Sequence, residues 1–273
     1  MPFIEVKDLM IHYEMEGQGK PLVILHGMGN NSQSWKKQIE GFRKDFTVIA
    51  WDAPGYGKSS DPKEELKEFS QFADVLKGFI EYLNFESVTL LGHSMGSAIA
   101  LDFCYRFSEM VDALIISDAT RGAAGLTKDE NKKKLENRLN NIDHLDPKEI
   151  ARLRVKELLA PQPIPEVKME AERIMSQVRS MGYRSVAYSL YNLNQMEILT
   201  SINVPTLIIC GELDKVTPVS ESQVFHDHIF NSKFVIIPRT GHLCYQEDPA
   251  SFNSIVLEFI ENLTKEKKDS ILQ

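Results

Sequence analysis

The stretch LLGHSMGSA, Leu90–Ala98, sets a serine between two glycines where a run of strand formers gives way to a helical pattern. SVTLLG before it reads as a buried strand, and MGSAIALDFCYRF after it reads as a helix. The bend between them, GHSMG, fits the pattern G-x-S-x-G. Gly92 and Gly96 leave room for the backbone to double back, so Ser94 is expected to protrude from the sheet edge in a strained conformation. A serine at a helix start often does no more than cap it. The order strand, tight bend, helix favours an exposed nucleophile instead.

Outward from this bend, the runs FIEV, MIHYE, PLVILH, FTVIAW, ALIISD, VPTLIICG and KFVIIP are rich in β-branched and aliphatic residues. Several are continuously apolar, as buried parallel strands are. From Pro21 they alternate with helical patterns at Ser34–Arg43, Glu68–Leu83, Ser94–Phe107, Ser220–Phe230 and Asp248–Leu263. Strand then helix, repeated, implies an α/β fold with helices on both faces of the sheet. Only Lys7, Asp8 and Leu9 separate the first two runs, too few for a parallel crossover, so the sheet should open with an antiparallel hairpin.

The alternation stops between residues 121 and 202, where charged helix formers dominate. The expected organisation is a core built from 1–120 and 203–273, interrupted by a helical insertion over 121–202. Thr127 with Glu130, and Asp146 with Pro147 and Glu149, read as capping-box starts. Leu135, Leu139 and Ile142 recur at helical spacing, as do Ile174, Val178 and Met181, and APQPIP (Ala160–Pro165) divides the insertion in two. The charges of KDENKKK read as a solvated helix face.

The 273 residues, 42% hydrophobic and 26% charged, are those of an ordinary soluble globular protein. A net charge of -8 offers no basic footprint for nucleic acid. Glu5, Lys7 and Asp8 interrupt the N-terminus, which excludes a signal peptide, and no uncharged stretch reaches the about 18 residues of a membrane span, so a cytoplasmic setting is expected. Cys104, Cys210 and Cys244 are odd in number and widely spaced, and read as small buried hydrophobes rather than a disulfide framework or a zinc site.

Two other motifs imitate nucleotide sites. PLVILHGMGNNS carries Gly27 and Gly29, with Asp52 about twenty residues further on, but Ser32 stands where a dinucleotide fingerprint needs a small packing residue. GYGKSS resembles the end of a phosphate loop, yet Asp52 occupies the position of its first glycine. DAPGYGKSS is better read as a turn-rich loop.

A serine nucleophile needs a histidine to take its proton and a carboxylate to orient that histidine. Of seven histidines, only His242 lies in a loop after a late strand, beside Gly241. Asp214 follows the penultimate strand in GELD, and Thr217 and Pro218 then lead into a capped helix. Glu212 is expected to serve the turn, while Asp118, closing ALIISD, is a rival acid; the chain order Ser94, Asp214, His242 favours Asp214. Acyl transfer also needs donors to a developing oxyanion. The Met95 amide at the helix start supplies one, and the Met28 amide in HGMG is the natural second, unless HGMG is an ordinary tight turn.

Taken together, HGMG after a strand, DAPGYGKS, GHSMG, GELD and GH followed by QEDP strongly resemble the α/β-hydrolase superfamily over nearly the whole chain. The resemblance implies a mostly parallel eight-stranded sheet, a triad of Ser94, Asp214 and His242, an oxyanion hole of the Met28 and Met95 amides, a helical lid formed by the insertion, and an enzyme without cofactor or metal. Serine at position 94 sets the chain apart from haloalkane dehalogenases and epoxide hydrolases, which carry aspartate there. Length and a single lid resemble enol-lactonases, small carboxylesterases and hydrolases of aromatic ring-cleavage products. The last usually have asparagine before the nucleophile and tryptophan after the histidine, where this chain has His93 and Leu243.

The expected activity is hydrolysis of a small-to-medium carboxylic ester, lactone or thioester through an acyl-serine. Cleavage of a carbon–carbon bond in a vinylogous diketone and a non-catalytic ligand receptor on the same fold are the alternatives. Met169, Met175, Met181 and Met196 suggest an apolar acyl group, if they are not plain core. A small-molecule substrate is the partner expected, and homodimer formation is left open.

Overall fold

Lys7 and Asp8 take left-handed backbone angles, φ 49° and 64°, and so turn β1 (Phe3–Val6) directly back on β2 (Leu9–Glu16). This is the antiparallel opening that the short connection requires. In the computed structural model, which describes residues 2–271, six further strands follow. They are β3 (Lys20–Leu25), β4 (Phe46–Trp51), β5 (Val88–His93), β6 (Val111–Ser117), β7 (Thr206–Gly211) and β8 (Lys233–Ile237).

The sheet has eight strands in the order β1-β2-β4-β3-β5-β6-β7-β8. Strand β2 runs antiparallel to both of its neighbours, and every other pairing is parallel. All residues of β5 and β7 are buried, which explains why their sequences are apolar without alternation.

The helices are α1 (Lys36–Phe42), α2 (Phe69–Tyr82), α3 (Met95–Arg106), α4 (Lys128–His144), α5 (Pro147–Leu158), α6 (Pro165–Met175), α7 (Ser180–Asn192), α8 (Met196–Leu199), α9 (Val219–His228), α10 (Cys244–Glu247) and α11 (Pro249–Ile271). Successive strand side chains point to opposite faces and build two cores. Val23, Leu25 and Leu90 meet Phe72, Phe79 and Phe103 of α2 and α3, with Phe225 of α9 on the same side. Leu22, Ile24 and Leu91 meet Trp35, Phe42, Tyr245 and Phe252 on the other side, under α1 and α11. Burying each such ring stabilises the layers by about 2 kcal/mol.

Between β6 and β7 the chain forms α4 to α8; α4 packs on α7 and α5 on α6. Thr127 and Glu130 form the reciprocal cap of α4. At α5 the structure departs from the sequence reading: the Asp146 carboxylate accepts from the Lys148 amide behind Pro147, and Glu149 completes no capping box. Ile174, Val178 and Met181 also do not share a helix, because α6 ends at Met175 and α7 begins at Ser180. The cause is tertiary. The Arg179 guanidinium bonds Asp61 and the carbonyls of Gly57 and Ser59, which pins the intervening turn to the loop after β4. Among the described residues no helix is long and apolar enough to cross a membrane.

Candidate active site

Ser94 sits at φ 52°, ψ -113°, the strained turn expected between β5 and α3. Its amide donates to the Ser117 carbonyl at 2.9 Å, tying the bend to β6. A methyl group on Gly92 would stand 2.4 Å from the Gly96 carbonyl oxygen, and one on Gly96 would stand 2.2 Å from that of Leu25. The strand and helix approach too closely for any side chain at either position. Ser97, one helical turn in, donates to the Gly92 carbonyl at 2.7 Å.

The loops after β7 and β8 bring Asp214 and His242 together, with 2.7 Å between Asp214 Oδ2 and His242 Nδ1. The Val216 and Thr217 amides and the Thr217 hydroxyl donate to the same carboxylate. An acceptor-only carboxylate at Nδ1 selects the tautomer protonated there, leaving Nε2 as the basic nitrogen. Burial disfavours charge on the His242 ring, but the adjacent Asp214 carboxylate outweighs it and holds the ring above its ordinary pKa. Burial likewise opposes the Asp214 charge, yet the ring and the Thr217 bonds keep its carboxyl well below the usual range. Thr217 does not cap α9, as its place in the sequence suggested; its hydroxyl is turned to the acid.

Asp118 comes to the same cluster but bonds elsewhere. It accepts from Ser117 Oγ at 2.6 Å, from Cys244 Sγ at 3.1 Å and from the Gly211 amide at 2.9 Å. Burial raises its pKa. Asp118, Asp214 and His242 form the one grouping among the described residues with metal-ligand spacing. Their donor atoms are already engaged with one another and with the neighbouring hydrogen-bond donors. Glu212 accepts from the Arg239 amide at 2.8 Å and so serves the turn.

In HGMG, His26 Nε2 accepts from the Ala53 amide at 3.0 Å while Nδ1 donates to the Gly27 carbonyl at 2.9 Å. This anchored turn presents Met28 to a cavity of about 80 Å³ that Ser94 and His242 also line. Among the described residues neither the Met28 nor the Met95 amide has an acceptor. Both nucleotide lookalikes resolve into one scaffold: Asp52 accepts from the Ser32 and Lys58 amides at 2.7 and 2.8 Å and bonds His12 Nδ1 at 2.8 Å. Next to the bend, His93 donates from Nε2 to the His242 carbonyl at 2.7 Å, and burial pushes its pKa down to about 3.

The suggestion of an apolar acyl pocket built from insertion methionines needs correction. None of the four lines the cavity; Met175 wedges against Gly29, and Met169 is 62% exposed. The cavity is lined by Lys134, Arg138 and Arg154 together with Leu158, Leu190 and Leu243. The charged residues of KDENKKK are all exposed, as a solvated face requires, and at its end the exposed Lys134 also reaches the cavity. The signal that could have revealed it is the spacing of Lys134 and Arg138, one helical turn apart.

A model of the alpha/beta hydrolase fold family matches residues 20–249. Among curated relatives, a 2-hydroxy-6-oxo-6-(2'-aminophenyl)hexa-2,4-dienoic acid hydrolase of Metapseudomonas resinovorans is 28% identical, with 94% of this chain and 90% of that protein aligned. A 3-oxoadipate enol-lactonase of Acinetobacter baylyi is 26% identical, with 93% and 94% aligned. Among solved structures, an esterase from Exiguobacterium antarcticum superposes with a TM-score of 0.85 at 26% identity, covering 95% of this chain and 98% of that one.

Proposed function

Because the chain belongs to the α/β-hydrolase fold family, we propose that it hydrolyses a small carboxylic ester, lactone or thioester through an acyl-Ser94 intermediate. The observation that carries this reading is the 2.7 Å pair of Asp214 and His242 opening onto the cavity that Ser94 lines. His242 Nε2 takes the Ser94 proton as Oγ adds to the carbonyl carbon. The carbonyl oxygen becomes an oxyanion, held by the Met28 and Met95 amides and the N-terminus of α3. His242 then passes the proton to the departing alcohol or thiol. A water attacks the acyl-serine with His242 again as base, and Ser94 leaves reprotonated. Asp214 stabilises the ring while it is charged. Helices α4 to α8 act as a lid that limits access to the acyl-serine.

Cleavage of a carbon–carbon bond is the second reading, supported by the relative from Metapseudomonas resinovorans. His93 and Leu243 stand against it. The buried His93 ring is occupied in holding the His242 carbonyl, and Leu243 is fully buried.

Ser94→Ala is expected to abolish labelling by a fluorophosphonate probe and to lower turnover of p-nitrophenyl butyrate by at least about 10⁴. Undiminished labelling would overturn the assignment. Faster turnover of a vinylogous diketone than of esters and lactones would favour the second reading.

A further inference from the structure

Behind the small cavity at Ser94 lies an outer one of about 790 Å³, between α4 and α5. The two share Lys134, Arg138, Arg154 and Val216 in their walls, so the route outward from the nucleophile passes three cations. Lys156 and Lys215 add two more around the outer cavity, against a single carboxylate, Glu157. The chain as a whole carries a net charge of -8, so this excess of positive charge is local and opposite to the overall balance.

Arg154 is paired with Glu157. Arg138 is half-buried and has no hydrogen bond or ion pair among the described residues. Burial and the neighbouring Arg154 push its pKa down to about 10, so it remains charged at neutral pH. A half-buried guanidinium beside another arginine is stabilised by an anion that bridges the two. The five donors of its planar fork match a carboxylate or phosphate oxyanion.

We propose that the substrate carries an oxyanion group, bound by Arg138 with Arg154 and Lys134, on the part of the molecule that extends from the reacting carbonyl into the outer cavity. This rests on Ser94 as the reacting atom. It narrows the substrate class to acidic esters, lactones or thioesters, such as half-esters of dicarboxylic acids or phosphorylated acyl compounds.

The test compares mono-p-nitrophenyl adipate with its neutral methyl-ester isostere. In the wild type kcat/KM should favour the anionic ester at least tenfold, and added NaCl should erode the preference. Arg138→Gln and Arg154→Gln should each lower that ratio several-fold, Arg138→Lys should retain part of it, and melting curves confirm that each variant folds. Lys132→Gln, on the same helix but paired with Glu136 outside both cavities, should leave the ratio unchanged.

Calorimetry on the Ser94→Ala protein reads binding without turnover: the anionic ester should bind at least tenfold tighter than the neutral one. Competition by adipate against inorganic phosphate distinguishes a carboxylate from a phosphate site. Equal binding of the two esters, or a kcat/KM ratio near one that Arg138→Gln does not change, overturns the inference while leaving the hydrolase reading intact. Absence of all ester turnover with the binding preference preserved would refute the hydrolase reading and support the anion site.

Discussion

Each of His242 and Asp214 favours the charged form of the other against the cost of burial, and the pH dependence of the proposed reaction follows from that opposition. The base must be neutral to accept the Ser94 proton. Its pKa is raised above the ordinary histidine value, so activity should be low in acid and rise with pH through that raised value. Below it, kcat/KM should fall about tenfold per pH unit. Asp214→Asn removes the charge that raises the ring, so the acid limb of the profile should move to lower pH while kcat drops by about 10³–10⁴. A pH–rate profile of both proteins checks this. A limb that stays in place would transfer control to Asp118, whose raised pKa and bonds to Ser117 and Cys244 fit a buried support rather than a partner of the ring.

At the scale of the element, α7 meets the loop after β4 where Gly182 faces Gly55, and a methyl group on Gly182 would stand 2.3 Å from the Gly55 carbonyl oxygen. Glycine-to-alanine in an exposed helix usually stabilises by about 0.5–1 kcal/mol. Here the sign should reverse: Gly182→Ala forces α7 away and should cost about 1–3 kcal/mol, measured as a lower denaturation midpoint. An alanine variant as stable as the wild type would show that α7 does not press on this loop. The same contrast marks what the sequence disclosed. Strands β3 to β7 and the bend at Ser94 were legible because burial on both faces writes a continuous apolar run and a doubled-back chain demands glycine. The pairing of His242 with Asp214 was legible because each falls just past a late strand. The break between α6 and α7 was not, since Arg179 imposes it through carbonyls more than a hundred residues away. Nor was the role of Thr217, whose hydroxyl has an equally good local use as a helix cap.

For the whole molecule, the insertion is fastened to the core at several points. Arg179 bonds the loop after β4, and Arg184 bridges Glu65 of the core and Asp143 of α4. Arg179→Gln should strand two partly buried carbonyls, lower the melting temperature by the equivalent of about 1–3 kcal/mol and speed limited proteolysis between α6 and α7. Cleavage unchanged by the substitution would mean that the attachment is carried elsewhere. One attachment differs in kind. The Leu158 carbonyl at the end of α5 accepts the His242 amide at 2.7 Å, and Glu247 joins the Ala160 and Gly241 amides across the same seam. A hatch hinged on the α5 side would therefore drag the imidazole off its carboxylate each time it lifted. Admission of a reactant and retention of the His242–Asp214 pair are compatible only with an opening that leaves the α5 seam shut.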